Sequence, residues 1–243
     1  MNGDIGNACP HAVPIFLKQA ISLAHDNGAL FILDEMVTGF KTAFPGSIIK
    51  YDLSPDMATW GKGIANGFSF CALTGKKEVM QLGGIINQGQ EKVFLISTTH
   101  GGETHSIAAG LETIKQFTTN PVLEHSHALG KYLIEESQKI IDAAGLGAFI
   151  EVIPSVWTPV FVFKNKTRAV CPGMRTLFMQ EMIKRGILFQ GLLMPSYSHQ
   201  KKDMDYFLEA FQESTQVYQT ALEQGYSQFL TGEPAKPVFR KHV

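Results

Sequence analysis

LFILDEMVTGFK (residues 30–41) and PDMATWGKG (residues 55–63) are the two stretches that decide the fold of this chain. The apolar run of the first ends at Asp34 and Glu35, and that of the second ends at Gly61-Lys62-Gly63. The first run follows an amphipathic segment, predicted as a helix over 14–27, and this order indicates a strand buried on both faces of a parallel sheet. Ligands bind at the carboxyl ends of such strands, so Asp34 and Lys62 are candidate functional residues.

The small residues around Lys62 favour a ligand that approaches closely. A lysine among glycines at a strand end is accessible to a flat molecule, and its amine can form a Schiff base with an aldehyde. The residues alone also leave a plainer interpretation open, in which Asp34 caps a helix and Lys62 is an ordinary surface lysine.

A nucleotide triphosphatase is a second alternative, because an apolar run that ends in Asp-Glu is typical of a Walker B strand. That interpretation requires a GxxxxGK[ST] loop elsewhere in the chain. The two Gly-Lys pairs, Gly61-Lys62 and Gly75-Lys76, are followed by Gly63 and Lys77. Neither pair provides the hydroxyl that would hold magnesium, so the sequence disfavours this class.

Composition and charge exclude several further classes of protein. A net charge of −1 gives no electrostatic basis for binding nucleic acid or an anionic membrane. No apolar run reaches the roughly 20 residues of a membrane span, and the N-terminus lacks the pattern of a secretory signal. Three widely spaced cysteines indicate a reduced compartment, so we expect a cytoplasmic protein. The scattered histidines lack metal-ligand spacing, and no metal site is predicted.

The pattern along the chain predicts two domains, 1–120 and 121–243. The second is expected to be an α+β domain with a small sheet packed under helices. Strands are predicted at 29–33, 57–60, 70–74, 92–97, 149–153, 160–163 and 187–190, and further helices at 104–117, 122–143, 173–185 and 203–224.

Several blocks resemble class III aminotransferases, which depend on pyridoxal 5′-phosphate (PLP), and in particular the glutamate-1-semialdehyde 2,1-aminomutase type. These are residues 30–41, residues 55–80, the segment STTHGGETHSIAAGLETI (97–114) and the closing stretch 186–212, while the resemblance is looser in residues 120–185. The resemblance implies the fold type I α/β architecture. Residues 1–120 would form a partial PLP-binding large domain, and residues 121–243 the C-terminal small domain. The N-terminal part of the family's chain, with its phosphate loop and a stacking aromatic residue, is expected to be missing.

The resemblance also implies the role of each candidate residue. Lys62 would hold PLP as a Schiff base and move a proton during catalysis, and Asp34 would pair with the pyridine nitrogen. Met36 would lie against one ring face, where the family usually has valine. Thr99 would bind the phosphate across a homodimer interface, although Thr98 is an alternative.

The expected activity is amino transfer or intramolecular amino shift on small molecules, by a truncated or split enzyme. The alternative is a catalytically silent remnant, or an interaction subunit, that keeps the family scaffold.

Overall fold

The computed structural model describes residues 12–84, 89, 91–92 and 101–236. This part of the chain divides into two compact units, with the boundary between Leu123 and Glu124. Among the described residues, no helix combines the length and the apolar character that crossing a bilayer requires.

The N-terminal unit is built around a three-stranded sheet. Its elements are α1 (Ala12–Asp26), β1 (Ile32–Asp34), α2 (Ser47–Lys50), β2 (Met57–Trp60), β3 (Ala72–Gly75), α3 (Lys77–Met80) and α4 (Thr104–Thr119). The sheet order is β1-β2-β3, with β1 parallel and β3 antiparallel to β2. The predicted parallel pair is therefore confirmed, and β2 has the predicted bounds. The strand predicted at 92–97 lies largely outside the described residues.

Burial of β1 differs from the sequence-based expectation. Leu33 is buried in the apolar cluster beneath the sheet, together with Ile21 and Trp60. Ile32 on the other face is 54% exposed, and Leu73 of β3 is 42% exposed. The expectation of a strand buried on both faces is therefore wrong for the part of the chain that the structure describes, which covers only one face of the sheet around β1.

Asp56 links three segments of the N-terminal unit just before β2. Its Oδ2 atom accepts hydrogen bonds from the Phe31 backbone N–H and from His25 Nε2, each at 2.8 Å, and its Oδ1 atom accepts one from Lys76 Nζ at 2.8 Å. The Lys76 ammonium, and then the Phe31 N–H and His25, hold the pKa of Asp56 well below its usual range. This carboxylate therefore ties α1 and the segments that flank β1 and β3 to one point.

The C-terminal unit packs helices on a two-stranded antiparallel sheet. Its elements are α5 (Val122–Ala143), which begins at the boundary, β4 (Ile150–Ile153), β5 (Val160–Phe163), α6 (Pro172–Lys184) and α7 (Lys201–Gln224). An aromatic cluster fills the core, formed by Phe161, Phe163, Phe178, Phe189, Phe207, Phe211 and Tyr218. The small sheet under helices that the sequence predicts is present.

The strand predicted at 187–190 is wrong. The backbone pairs with β5 only farther along, through an isolated bridge between Val160 and Leu192. Gly186 and Gly191 bracket the segment with φ values of 81° and 87°. Glycine readily adopts this left-handed conformation, so the chain turns on both sides of the predicted strand.

Candidate functional site

Asp34 lies at the carboxyl end of β1, opposite Thr59 of β2. Its Oδ1 atom accepts hydrogen bonds from the Met36 backbone N–H at 2.9 Å and from the Thr59 hydroxyl at 3.0 Å. Within the described part of the chain, every hydrogen bond to this carboxylate ends on Oδ1. The exposed carboxylate is thus held in one orientation, and Oδ2 can accept a bond from a ligand.

Lys62 lies at the end of the neighbouring strand, two residues after Trp60. It begins a single 3-10 turn, and its side chain is exposed. Its φ of 47° is left-handed, a conformation that costs a residue with a Cβ about 1–2 kcal/mol. The place of Trp60 on a strand beside Lys62 predicts a packing role. Trp60 is indeed buried, and it donates a hydrogen bond from Nε1 to the Thr74 hydroxyl at 2.8 Å.

Met36 packs against the backbone just before Lys62. A Cβ placed on Gly61 would lie 2.3 Å from Met36 Cε and 2.6 Å from its Sδ, so a side chain at this position would displace the end of Met36. The same position is 3.8 Å from the Cβ of Cys71. The apolar run around Cys71 predicts a core position for this residue, but its side chain is exposed just before β3, so that prediction is wrong.

Glu35 faces away from Asp34 and is fully buried. Its Oε1 atom accepts the Ile48 backbone N–H at 2.8 Å, and its Oε2 atom accepts the Thr38 hydroxyl. A Cβ on Gly46 would lie 2.7 Å from this carboxylate. The sequence suggests a structural ion pair for Glu35. Glu35 does have a structural role, but the donors to its carboxylate are a backbone N–H and a hydroxyl group in place of a cation.

Lys41 is a site residue that sequence reasoning did not single out. It closes the first quoted stretch, and its side chain is half-buried. Its Cε atom lies 4.0 Å from the Cβ position of Gly63, the residue after Lys62. Burial lowers the pKa of the Lys41 amine, and the charge of Lys62 lowers it further. The sequence offers no signal for it, because the left-handed φ of Phe40 just before it is visible only in the structure.

Thr99, the predicted phosphate-binding residue, lies outside the described residues, as does its alternative Thr98. The structure therefore brings together Asp34, Met36 and Lys62 on two adjacent strand ends and adds Lys41. The phosphate-binding role of Thr99 stays a prediction.

Comparison with known proteins identifies the family of this chain. The family described as "Aminotransferase class-III" matches residues 2–214, which is most of the chain. The chain belongs to the class-III aminotransferases. The expected resemblance is thereby confirmed.

Two curated relatives illustrate the range of chemistry in this family. A 3-aminobutyryl-CoA aminotransferase of Cloacimonas acidaminovorans is 29% identical over 205 residues, which are 83% of this chain and 47% of that protein. A glutamate-1-semialdehyde 2,1-aminomutase of Clostridium perfringens is 27% identical over 215 residues, which are 82% of this chain and 48% of that protein. The chain thus spans about half the length of the curated relatives it matches.

Solved structures confirm the fold type I architecture. The FumI protein of Sphingopyxis sp. MTA144, in its PLP internal aldimine form, has a TM-score of 0.74 at 20% identity and matches 89% of this chain and 50% of its own. An omega-transaminase from Sphaerobacter thermophilus has a TM-score of 0.73 at 18% identity, matching 85% of this chain and 48% of its own. PLP is the cofactor of this aminotransferase family.

Proposed function

We propose that this chain contributes Lys62 and Asp34 to a PLP-dependent aminotransferase or aminomutase. The observation that carries the proposal is the parallel pair of β1 and β2, whose adjacent carboxyl ends present the carboxylate and the amine. Thr59 connects the two strands by its hydrogen bond to Asp34.

The carboxylate fits the ring-nitrogen end of PLP. Two donors fix Asp34 through Oδ1, and Oδ2 is available to accept the N–H of a pyridinium ring. When bound, PLP supplies an electron sink that stabilises negative charge on the substrate carbon. A carboxylate that keeps the ring nitrogen protonated strengthens that sink.

The amine fits the aldehyde end. Lys62 is exposed between two glycines, so a flat ring can approach its Nζ atom closely. Nζ would attach the cofactor and, once released by the substrate, would take a proton from the substrate carbon. Met36, packed against Gly61, would contact one ring face; a flexible thioether suits an aromatic surface.

The rest of the proposal concerns the complete enzyme. We propose a cytoplasmic homodimer in which Thr99 binds the cofactor phosphate of the partner subunit. A symmetric dimer makes such a contact twice. The alternative, a silent remnant or an interaction subunit, is kept because the chain spans about half the length of its relatives.

The experiment that tests the proposal is trapping of PLP by borohydride. The chain is studied alone and co-expressed with the unmatched half of the Cloacimonas acidaminovorans relative, with Lys77→Ala in the exposed α3 as control for Lys62→Ala. We expect the chain alone to retain little PLP after desalting and to transfer no amino group. With the complement, Lys62 should carry the reduced adduct, and a panel of amino donors should show turnover.

Two outcomes would argue against this assignment. An adduct and turnover that survive Lys62→Ala would remove Lys62 from the mechanism. A complemented, folded assembly that never labels Lys62 would favour the silent remnant.

A further inference from the structure

One residue of β2, Thr59, holds both the Asp34 carboxylate and the backbone that follows it. Asp34 and Thr59 are register partners in the parallel pair of β1 and β2. The Thr59 hydroxyl donates to Asp34 Oδ1 at 3.0 Å, and the Thr59 carbonyl oxygen accepts the Glu35 backbone N–H, also at 3.0 Å. The position and the orientation of Asp34 therefore both depend on the neighbouring strand.

The other donor to Asp34 Oδ1 is local to the same turn. It is the Met36 backbone N–H, two residues farther along the chain, at 2.9 Å. Turns of this kind are common after aspartate. A single exposed hydrogen bond lets the carboxylate swing about it and exchange rotamers at little cost. The Thr59 hydroxyl adds a second donor from another strand, which restricts the side chain to one orientation.

The place of Thr59 in the sheet fits this role better than a role in packing. Residues alternate between the two faces of a strand, and its neighbours Ala58 and Trp60 are buried in the apolar cluster. Thr59 is half-buried on the opposite face, in register with Leu73 of β3, which is 42% exposed. Among the described residues, Asp34 is the hydrogen-bond partner of its side chain. The Thr59 side chain therefore lies on the same face as Asp34, away from the apolar cluster.

We propose that Thr59 is a positioning residue of this site, which fixes the Asp34 carboxylate so that Oδ2 meets the ring nitrogen of PLP. Thr59 acts through Asp34, and the inference rests on the role proposed above for Asp34. A ring N–H binds an acceptor oxygen best near the plane of its carboxylate, so an orientation lost at Asp34 weakens this bond. The role needs the hydroxyl of threonine and not its methyl group.

Two substitutions of Thr59 separate the hydroxyl from the methyl group. Thr59→Val removes the hydroxyl, keeps the shape of the side chain and suits a strand, whereas Thr59→Ser keeps the hydroxyl without the methyl group. Thr74→Val is the matched control, because it is the same substitution in the same sheet. It breaks a hydrogen bond of similar length, 2.8 Å from Trp60 Nε1, on the opposite face. A purely structural Thr59 should tolerate valine better than serine, and a positioning Thr59 should show the reverse order.

The first measurement needs neither the cofactor nor a second polypeptide. In the purified chain with ¹³C- and ¹⁵N-labelled aspartate, three-bond couplings from Asp34 Cγ to the backbone show whether the side chain keeps one χ1 rotamer. The signal that disappears in Asp34→Asn is assigned to Asp34. We expect one rotamer in the wild type, in Thr59→Ser and in Thr74→Val, and couplings averaged over several rotamers in Thr59→Val. Wild-type couplings in Thr59→Val overturn the proposal, since the Met36 N–H would then be sufficient.

The second measurement uses the chain complemented as above and loaded with PLP that carries ¹⁵N in its ring. The ¹⁵N chemical shift reports protonation of the ring nitrogen, and Asp34→Asn gives the shift in the absence of a carboxylate partner. We expect Thr59→Val to move the resonance toward its position in Asp34→Asn. Turnover should fall at least about tenfold, since a misplacement of about 1 Å can cost about a hundredfold. Thr59→Ser and Thr74→Val should stay close to the wild type in both readouts.

The outcomes distinguish this inference from the function on which it rests. A shifted resonance in Asp34→Asn together with a wild-type resonance in Thr59→Val overturns the role of Thr59 alone. A wild-type resonance in both variants overturns the role of Asp34 and, with it, the proposal for Thr59. Turnover that is lower in Thr59→Ser than in Thr59→Val assigns the effect to the methyl group and also overturns the proposal.

Discussion

Asp56→Asn should destabilise the N-terminal unit strongly, although it changes one atom of one side chain. The carboxylate is buried and accepts three bonds through two oxygens. An amide oxygen can replace Oδ2 and keep the bonds from Phe31 and His25. Its NH₂ group then faces the Lys76 ammonium, a donor against a donor.

The magnitude follows from how well each partner reaches water. Removing one member of a buried charged network costs about 3–5 kcal/mol. The His25 and Lys76 side chains are 41% and 35% exposed, so both regain water contacts in the variant. We therefore expect a loss of about 2–3 kcal/mol, less than that full cost and in the upper part of the range for hydrogen bonds to charged groups.

Asp52→Asn is the matched control. Asp52 pairs with Lys18 at 3.1 Å, but its side chain is 98% exposed. An exposed pair contributes under about 0.5 kcal/mol, and asparagine tolerates the left-handed φ of 50° at this position. The two substitutions are chemically identical and differ in burial and in the number of partners.

The assay is urea unfolding followed by the fluorescence of Trp60, the buried tryptophan of the same unit. A Trp157→Phe background removes the tryptophan of the C-terminal unit from the signal. A difference below about 0.5 kcal/mol between Asp56→Asn and Asp52→Asn would refute the reasoning, since burial would then add nothing over a surface pair.

The same experiment at lower pH tests the sign of the charge effect. The pKa of Asp56 is depressed in the folded state, so the unfolded chain binds a proton first as the pH falls. The stability difference between wild type and Asp56→Asn should be constant above about pH 5 and shrink below about pH 4, where an unfolded aspartate takes up its proton. A difference that grows on acidification would contradict the assignment.

Three further predictions concern other parts of the molecule. In the complete enzyme, Asp34→Asn should lower the rate of amino transfer by about two orders of magnitude or more, with smaller effects on PLP retention. The reason is that the electron sink weakens mainly in the transition state. Normal rates in stopped-flow assays would remove Asp34 from the mechanism. Thr99→Val should weaken PLP retention of a homodimer, measured by dialysis and light scattering, and tight retention by a strict monomer would contradict the phosphate role. Tyr218→Phe should lower the free energy of unfolding in urea by about 1–3 kcal/mol, because it removes the buried hydroxyl that hydrogen-bonds to the Phe149 and Lys164 backbone at 3.1 Å. An unchanged unfolding midpoint would show that water replaces the hydroxyl.

The sequence predicted best those elements in which apolar residues recur at one regular spacing. The apolar spacing of α5 gave the observed bounds, 122–143, and the four residues of β2 were also placed correctly. The prediction that β1 is buried on both faces failed because a run of apolar residues does not show whether other elements pack on both faces of the strand. The sequence also predicts an apolar face of the helix α4 from Ile107, Ala108, Leu111 and Ile114. In the described part of the chain this face is exposed, with Leu111 at 64%.

The site divides in a similar way. Asp34 and Lys62 could be proposed from the sequence because strand ends are recognisable in the pattern of residues. The burial of Glu35 depends on a contact with Ile48, thirteen residues away, and the position of Lys41 depends on two left-handed turns. No local pattern encodes such contacts, so these residues needed the folded chain.

The left-handed backbone conformation of Lys62 lowers the stability of the fold at the residue whose side chain the proposed function needs. Glycine adopts this conformation without a steric cost, so Lys62→Gly should relieve about 1 kcal/mol of strain while it deletes the amine. The fold would thus gain from losing the side chain on which the proposed chemistry depends. A lineage no longer selected for amino transfer would be free to drift to glycine here, and the lysine in this chain is therefore informative about its history.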